Sequence, residues 1–309
     1  MSVSDSPENG QLLPPMDALA ANLAARKYSA CGQPWLYAEV AKRMASRLPL
    51  IKHDTRHWVL WAPRNGGLDS LPLVSSHCPK AAVTVIESDP QDLRWAQTAL
   101  EPPWWQFWKR PTLNFRLKVA SPADMVWSHM QLHQCADPMQ LMTDWNQSLN
   151  EQGYVMFSCL GPDSLQELRA VYEQQAWPAP HHAFTDMHDW GDMLLKSGFT
   201  QPIMDMERIT LTYESADPLI ADLRTLGRNL HPQRFAFLRG KAWRRRLVEA
   251  LNEKLSASKS TDRLTLTFEV IYGHAFKAKT ATGRQSETVI SLNDMKSMLG
   301  GDKTAPSKA

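Results

Sequence analysis

Short apolar runs alternate with longer segments of helical periodicity along the first half of the chain. The runs at 57–62 and 81–86 are rich in Val, Leu, Ile and Trp, and each ends at a polar turn. Such runs are typical of strands buried on both faces, and helical patterns follow each of them. The resulting order of strand, helix, strand and helix predicts an α/β fold with a parallel sheet covered by helices.

Three more strand-like runs follow, and helical patterns then dominate until one late strand. The strands are predicted at 113–119, 125–128 and 153–160, with an extended segment at 204–213. Helices are predicted at 163–175, 186–198, 217–227 and 239–257. Residues 264–272 (LTLTFEVIY) have the strongest strand pattern of the chain, because nearly every position is β-branched, aromatic or aliphatic.

Composition excludes several classes of protein. With 309 residues, 43% hydrophobic and 21% charged, the chain can bury a core without disulfides or metals. Its formal charge of +2 does not favour nucleic acid. The four cysteines form no CxxC pair, so we expect reduced thiols in a cytoplasmic protein. No run approaches the ~20 apolar residues of a membrane span, and the start has no signal-peptide pattern.

The ends of the first two strands carry the first candidates for chemistry. Gly66 and Gly67 follow strand one, where glycines let a ligand approach the backbone. Glu87 ends strand two, 20 residues after Gly67, where a carboxylate can accept hydrogen bonds from ribose hydroxyls. A tight turn and a solvated carboxylate would explain each feature alone. Together they favour a nucleoside cofactor site.

Six segments of the chain resemble those of a known family. They are VLWAPRNGG, VTVIESDP, ADMVWSHMQLHQCADP, GYVMFSCLGPDSLQELR, FTDMHDWGDMLLKSGFTQPIMDMERITLTY and LTFEVIYGHAFK. Together they resemble the class I S-adenosylmethionine (SAM) dependent methyltransferases, and within that class the malonyl-acyl-carrier-protein O-methyltransferases of biotin synthesis. The resemblance runs from about residue 17 to residue 277.

The resemblance implies a fold and a set of site residues. The fold is a Rossmann-like, seven-stranded class I methyltransferase sheet with a helical insertion after strand five and an antiparallel late strand. SAM would be held by Gly66, Gly67, Glu87 and Ser128. Arg224, in ADLRTLG, would orient the malonyl carboxylate, and Tyr28, in ARKYS, would close the cofactor site.

The cofactor turn departs from the family pattern. Trp61 replaces the acid that ends strand one, and Pro63 and Asn65 replace two of three glycines. The family also has an acidic residue after strand three, whereas residues 117–122 contain none. We therefore expect SAM to bind weakly or not at all, with any affinity depending on Glu87.

A basic stretch predicts an acidic partner. Residues 224–254 contain nine Lys or Arg and only two acids, and Arg244, Arg245 and Arg246 are the densest point. Because acyl carrier proteins are acidic, the resemblance implies that this stretch docks a carrier bearing a malonyl thioester. A solvated helix face, or RNA as another acidic partner, would also explain the charge.

Several other motifs have structural explanations. The cluster of His181, His182 and His188 with nearby aspartates matches no usual zinc spacing, so we expect a helix capped by Asp186 and no metal. His129 and His133 are expected to pack rather than catalyse. The Trp-rich insertion at 101–112 would either contact a partner or membrane surface, or fold onto its own sheet.

These observations define expected domains and functions. We expect an arm at 1–15, lid helices at 16–52, a methyltransferase-like domain at 53–277 with its insertion at about 161–257, and a tail at 278–309. The main hypothesis is a malonyl-carrier-protein carboxyl methyltransferase. The alternatives are a non-catalytic relative that binds or regulates, and a methyltransferase acting on RNA or a small molecule.

Overall fold

A computed structural model describes residues 13–21, 34–100, 113–237, 239–256 and 263–279. Tyr28, the insertion at 101–112 and most of the expected arm and tail lie outside these described residues. The chain divides into two units, Met1–Ala278 and Lys279–Ala309, and the fold described below is that of the first.

The described strands form a single seven-stranded sheet with the order β3-β2-β1-β4-β5-β7-β6. Neighbours from β3 to β5 are parallel, and β7 runs antiparallel between β5 and β6. The strands are β1 His57–Trp61, β2 Ala82–Ile86, β3 Leu113–Arg116, β4 Ala123–Ser128, β5 Leu149–Leu160, β6 Phe199–Tyr213 and β7 Leu264–Lys277. The predicted class I methyltransferase sheet, with its late antiparallel strand, is confirmed.

Helices cover both faces of the sheet. They are α1 Trp35–Ala45, α2 Ser70–His77, α3 Pro90–Leu100, α4 Pro138–Gln147, α5 Gln166–Gln174, α6 Met187–Lys196, α7 Ala216–Leu226 and α8 Lys241–Ser256. Helices α4 and α6 contribute to the core on one face, and the other helices contribute to the core on the opposite face. The helical insertion after β5 comprises α5 to α8, and β6 lies between its two helix pairs.

The strands alternate their side chains between these two cores. Trp58 and Leu60 of β1 pack on one face, while Val59 packs on the other. This alternation is the two-residue period of a strand whose two faces are both buried. Of the 12 Trp residues, Trp58, Trp127, Trp145 and Trp190 are almost fully buried, so part of this unusual Trp content fills the core.

Helix α1 is tied to the far edge of the sheet by two ion pairs. Arg43 Nη1 lies 3.0 Å from Glu207 of β6, and Arg47 Nη2 lies 2.6 Å from Asp205 of the same strand. The hydroxyl of Tyr272 on β7 also donates a hydrogen bond to Glu207. The N-terminal helix therefore depends on residues from the second half of the chain.

Candidate functional site

The first, second and fourth strands end at the same level of the sheet. Trp61 of β1 lies opposite Ile86 of β2 and opposite Ser128 of β4. The residues that follow these strands therefore meet at one edge. Open α/β sheets bind ligands at this carboxyl edge, near the point where the strand order reverses.

The turn after β1 is a compact helical turn rather than an open loop. Ala62 is left-handed, with φ 47° and ψ 55°, and Pro63–Gly66 then form one helical turn. The N–H of Gly67 donates to the carbonyl of Pro63 at 2.8 Å, and Gly67 itself has φ 96°. A Cβ on Gly66 would lie 2.1 Å from the carbonyl oxygen of His129, so this glycine lets the turn pack against the chain after β4.

Glu87 lies at this edge, but its carboxyl group is buried and already has a partner. The residue is 3% exposed, and its Oε1 accepts a hydrogen bond from the backbone N–H of Arg64 at 2.6 Å. Burial raises the pKa of Glu87 to about 8, because an ionised carboxylate is poorly solvated there. Glu87 is therefore mainly protonated at neutral pH.

The side chain of Arg64 packs against α3, the helix that follows β2. Its Cζ lies 4.1 Å from the centroid of the Trp95 ring, and its Nε lies 3.5 Å from Asp92 Oδ1. The side chain is only 7% exposed, and this burial lowers the pKa of the guanidinium. One residue thus contacts Glu87 through its backbone and Trp95 through its side chain.

These residues do not fit SAM as they are arranged. An acid after strand two would accept hydrogen bonds from ribose hydroxyls, yet Glu87 is buried and accepts one from Arg64. Ser128 is 1% exposed, and its hydroxyl donates to Gln131 at 3.2 Å. Gly66 serves the packing against His129. The four predicted cofactor residues lie at the expected edge of the sheet, but their environment is that of a closed site.

A separate cavity of about 470 Å³ lies among β5, β7 and the insertion helices α5, α7 and α8. Leu160, Leu168 and Phe268 give it an apolar floor. Arg224 and Arg228 line it and are exposed. Neither arginine forms an ion pair with a carboxylate of the described residues. The cavity can therefore take an apolar arm that ends in an anion.

A third arginine borders this cavity and is held by aromatic rings. The guanidinium of Arg239 lies 3.9 Å from the centroid of the Trp243 ring and 4.6 Å from that of Phe235. Such cation–π contacts help to fix the plane of the guanidinium, which also hydrogen-bonds the side chain of Tyr172. The described lining of the cavity thus includes three exposed arginines, and Arg239 is the one that aromatic rings orient.

Part of the charge on the basic stretch is neutralised within the fold. Arg244 pairs with Asp217 of α7 at 2.5 Å, and Arg234 pairs with Asp17 at 2.8 Å. Arg245 and Arg246 are exposed, and they form no ion pair with the described residues. Helix α8 therefore presents a positive surface beside the cavity.

The structure clarifies several smaller predictions. Asp186 caps α6 by accepting from the N–H of His188 at 2.8 Å, as predicted. His129 is 2% exposed and hydrogen-bonded on both nitrogens, so its ring packs within the fold. Cys78, Cys135 and Cys159 are free thiols. None of the described helices is long and apolar enough to cross a membrane.

Sequence reasoning missed the part that Arg64, Asp92 and Trp95 take in this site. A weak signal was present, because Asp92 and Trp95 are three residues apart on one predicted helix and so share a face. Arg224 lies in the separate cavity rather than beside Glu87. Tyr28 falls outside the described residues, so its predicted role stays a prediction.

Comparison with known proteins gives several curated relatives with the same name. No family model matches the chain. The malonyl-[acyl-carrier protein] O-methyltransferase of Laribacter hongkongensis is 36% identical over 252 residues, which cover 78% of this chain and 82% of the relative. That of Nitrosospira multiformis is 33% identical over 260 residues, with the same coverage. That of Gallionella capsiferriformans is 40% identical over 173 residues, covering 56% of this chain and 58% of the relative.

Among solved structures, an N-methyltransferase from Bradyrhizobium japonicum in complex with S-adenosylhomocysteine covers 84% of this chain and 98% of its own. It is 10% identical, with a TM-score of 0.42.

The sheet order defines a class I methyltransferase fold. The curated relatives identify the family within this class, because this chain aligns with about four fifths of the length of two of them at more than 30% identity. The chain belongs to the malonyl-[acyl-carrier protein] O-methyltransferase family, and the resemblance of the six sequence segments is thereby confirmed.

Proposed function

We propose that this chain binds a malonyl thioester attached to an acidic acyl carrier protein and presents its free carboxylate for O-methylation. The observation that best supports this function is the cavity of about 470 Å³, which combines an apolar floor with the exposed Arg224 and Arg228. The relatives are named for the same substrate and reaction.

Arg224 is the proposed ligand of the malonyl carboxylate. A guanidinium grips a carboxylate through two parallel N–H···O bonds, which fixes its orientation as well as its charge. The malonyl carboxylate is ionised at neutral pH, so its oxygen needs no general base before it receives a methyl group. The chain's contribution is then to orient the carboxylate and to exclude water.

The exposed arginines of α8 are the proposed docking surface for the carrier. Arg245 and Arg246 lie on the helix that also supplies Trp243 and Leu247 to the cavity. A carrier docked there would deliver its thioester arm directly toward Arg224. A local positive surface steers an acidic partner even though the whole chain is only +2.

A non-catalytic role is the second candidate, and one observation favours it. The N–H of Arg64 already bonds to Glu87, and the guanidinium already covers Trp95. SAM would supply the methyl group when bound, and this closed arrangement indicates that its affinity is low. A chain that binds the carrier but not SAM would act as a binding or regulatory protein.

The two candidates are separated by measuring carrier association and methyl transfer on the same protein. Stopped-flow association with malonyl-loaded carrier should be fast at low salt, and labelled SAM should transfer methyl to the carrier. Arg224→Lys keeps the charge but loses the two-pronged grip, so turnover should fall while association persists. Arg94→Lys, an exposed change on α3, is the matched control and should alter neither rate.

Each outcome decides between the candidates. Normal association without methyl transfer would support the non-catalytic role. Absence of association, with carrier loading verified, would contradict both. Arg224→Lys behaving like Arg94→Lys would show that the carboxylate is held elsewhere.

A further inference from the structure

We infer that Arg64 occupies the place beside Glu87 where a nucleoside would lie, so that S-adenosylmethionine and S-adenosylhomocysteine bind only when its side chain is displaced. This inference concerns the predicted cofactor site beside Glu87 and does not depend on the carrier substrate. It follows because the described residues around Glu87 leave no open place for the SAM that the family uses.

The contacts of Arg64 correspond to those that a nucleoside would make. Its backbone N–H supplies a donor to Glu87, as a ribose hydroxyl would, at 2.6 Å. Its planar guanidinium lies over the face of Trp95, with its centre 4.1 Å from the ring centroid. Both contacts lie between the turn after β1 and the helix after β2. Arg64 therefore supplies both the hydrogen-bond donor and the flat group that a bound nucleoside would otherwise supply.

The backbone of the turn holds Arg64 in this position. Ala62 is left-handed, with φ 47°, and Pro63 fixes the next φ. Gly66 packs against the carbonyl of His129, where even one Cβ would clash at 2.1 Å. Because the turn is fixed at both ends, the N–H of Arg64 is aimed at Glu87 by the fold.

The side chain of Arg64, unlike its backbone, contacts residues of helix α3. Its ion pair with Asp92 is long, at 3.5 Å, and Asp92 is itself only partly buried. Burial raises the pKa of Asp92 and lowers that of Arg64, so each group is poorly solvated in its charged form. Because its contacts with Trp95 and Asp92 are both made with helix α3, the side chain can leave them without unfolding the turn that carries it.

Substitutions at position 64 test this inference by direct binding. Calorimetric titration with S-adenosylhomocysteine should give weak binding for the parent and at least about ten-fold tighter binding for Arg64→Ala. Arg64→Met is the matched control, because its long side chain still covers Trp95, and it should bind like the parent. Arg94→Ala removes an exposed arginine from the same helix as Trp95 and should also bind like the parent.

A second pair of variants controls for misfolding and tests whether the increased affinity depends on Glu87. Asp92→Asn loosens the guanidinium without removing it and should increase affinity by a smaller factor than Arg64→Ala. In Arg64→Ala, adding Glu87→Ala should reduce the gained affinity, because the ribose then loses the carboxyl group that would accept its hydrogen bond. Hydrogen–deuterium exchange at residues 62–67 should fall on adding the ligand to Arg64→Ala and stay unchanged in the parent.

Three results would overturn the inference. The first is a parent protein that binds S-adenosylhomocysteine as tightly as Arg64→Ala. The second is a correctly folded Arg64→Ala, judged by its melting temperature, that gains no affinity. The third result matters if Arg64→Ala fails to fold. In that case the inference is overturned if Asp92→Asn binds S-adenosylhomocysteine no more tightly than the parent does. None of these readouts involves the carrier or methyl transfer, so failure here leaves the proposed function untouched.

Discussion

The backbone carbonyl of Tyr37 on α1 accepts a hydrogen bond from Nε2 of His129, in the chain after β4, at 2.9 Å. The Nε2 atom must therefore carry the proton. Burial lowers the pKa of His129 to about 4, so the ring is neutral and its Nδ1 accepts from the hydroxyl of Ser158 at 2.8 Å. This chain of bonds joins the N-terminal helix to β5 through the carboxyl edge of the sheet.

Removing the hydroxyl of Ser158 should destabilise the fold. Ser158→Ala leaves Nδ1 of His129 without its donor and also removes the acceptor for the N–H of Met130. The cost of leaving such buried groups unpaired is about 1–3 kcal/mol. Urea unfolding monitored by circular dichroism measures it. Ser76→Ala, at an exposed position of α2, should change the free energy of unfolding by less than about 0.5 kcal/mol.

Gly66 and Gly191 should respond in opposite directions to alanine. A Cβ on Gly66 meets the carbonyl of His129, a backbone atom that cannot move freely, so we expect Gly66→Ala to cost about 1–3 kcal/mol. A Cβ on Gly191 in α6 meets nothing within 4 Å, so Gly191→Ala should stabilise the helix by about 0.5–1 kcal/mol. Thermal and urea unfolding compare the two. Equal effects would show that the turn after β1 is not packed as described.

Glu87 should make the fold less stable as the pH rises. Its folded pKa is about 8, above the ordinary value of 4.5, so between these pH values the unfolded chain loses a proton that the folded chain keeps. The free energy of unfolding should fall by up to about 1.4 kcal/mol per pH unit in that window. Glu87→Gln cannot titrate and should flatten this slope. Urea unfolding of both proteins from pH 5 to 8 gives the difference, and parallel curves would contradict the buried, protonated carboxyl.

The positive surface of α8 should act through the rate of carrier association. Replacing Arg244, Arg245 and Arg246 together by Ser should slow association at low salt and matter little at high salt, since the Debye length is only ~8 Å at physiological ionic strength. Lysine at the same three positions should preserve the rate. Asp217→Asn removes the carboxylate that pairs with Arg244, so it should speed association with an acidic carrier. Equal rates for the Ser variant and the parent at low salt would show that α8 is only a solvated face.

The sequence predicts buried strands well and irregular ones less well. The runs of β1, β2 and β7 are dominated by β-branched, aliphatic and aromatic residues, so the pattern alone locates them, although β7 continues to Lys277, beyond the predicted end at 272. Strand β5 begins at Leu149, whereas the predicted strand began at residue 153. The pattern missed its first residues because several of them are polar and Gln152 has φ 67°. Strand β6 begins at Phe199 although Pro202 interrupts it. The register of β6 shifts between Thr200 and Ile203, and an edge strand tolerates the missing N–H there.

The sequence predicts where the candidate site lies, but not which side chains surround Glu87. The strand ends and the offset between Gly67 and Glu87 place the site at the carboxyl edge of the sheet. The departures at Trp61, Pro63 and Asn65 indicate an altered turn. They do not say that Arg64 contacts Glu87 and Trp95, because the direction of that residue depends on the left-handed Ala62 and on packing against the loop after β4.

The ion pairs between α1 and β6 also have a consequence for synthesis on the ribosome. Arg47 and Asp205 are 158 residues apart in sequence, so α1 emerges long before its partner strand exists. At about 5–20 residues per second, the helix waits for roughly 8–30 s. During that time neither Arg43 nor Arg47 has its carboxylate on β6, and the apolar face of α1 lacks part of the sheet that later covers it. Because β6 is placed in the sheet by pairing with β7, the nascent chain is a natural client for chaperones until β7 is complete.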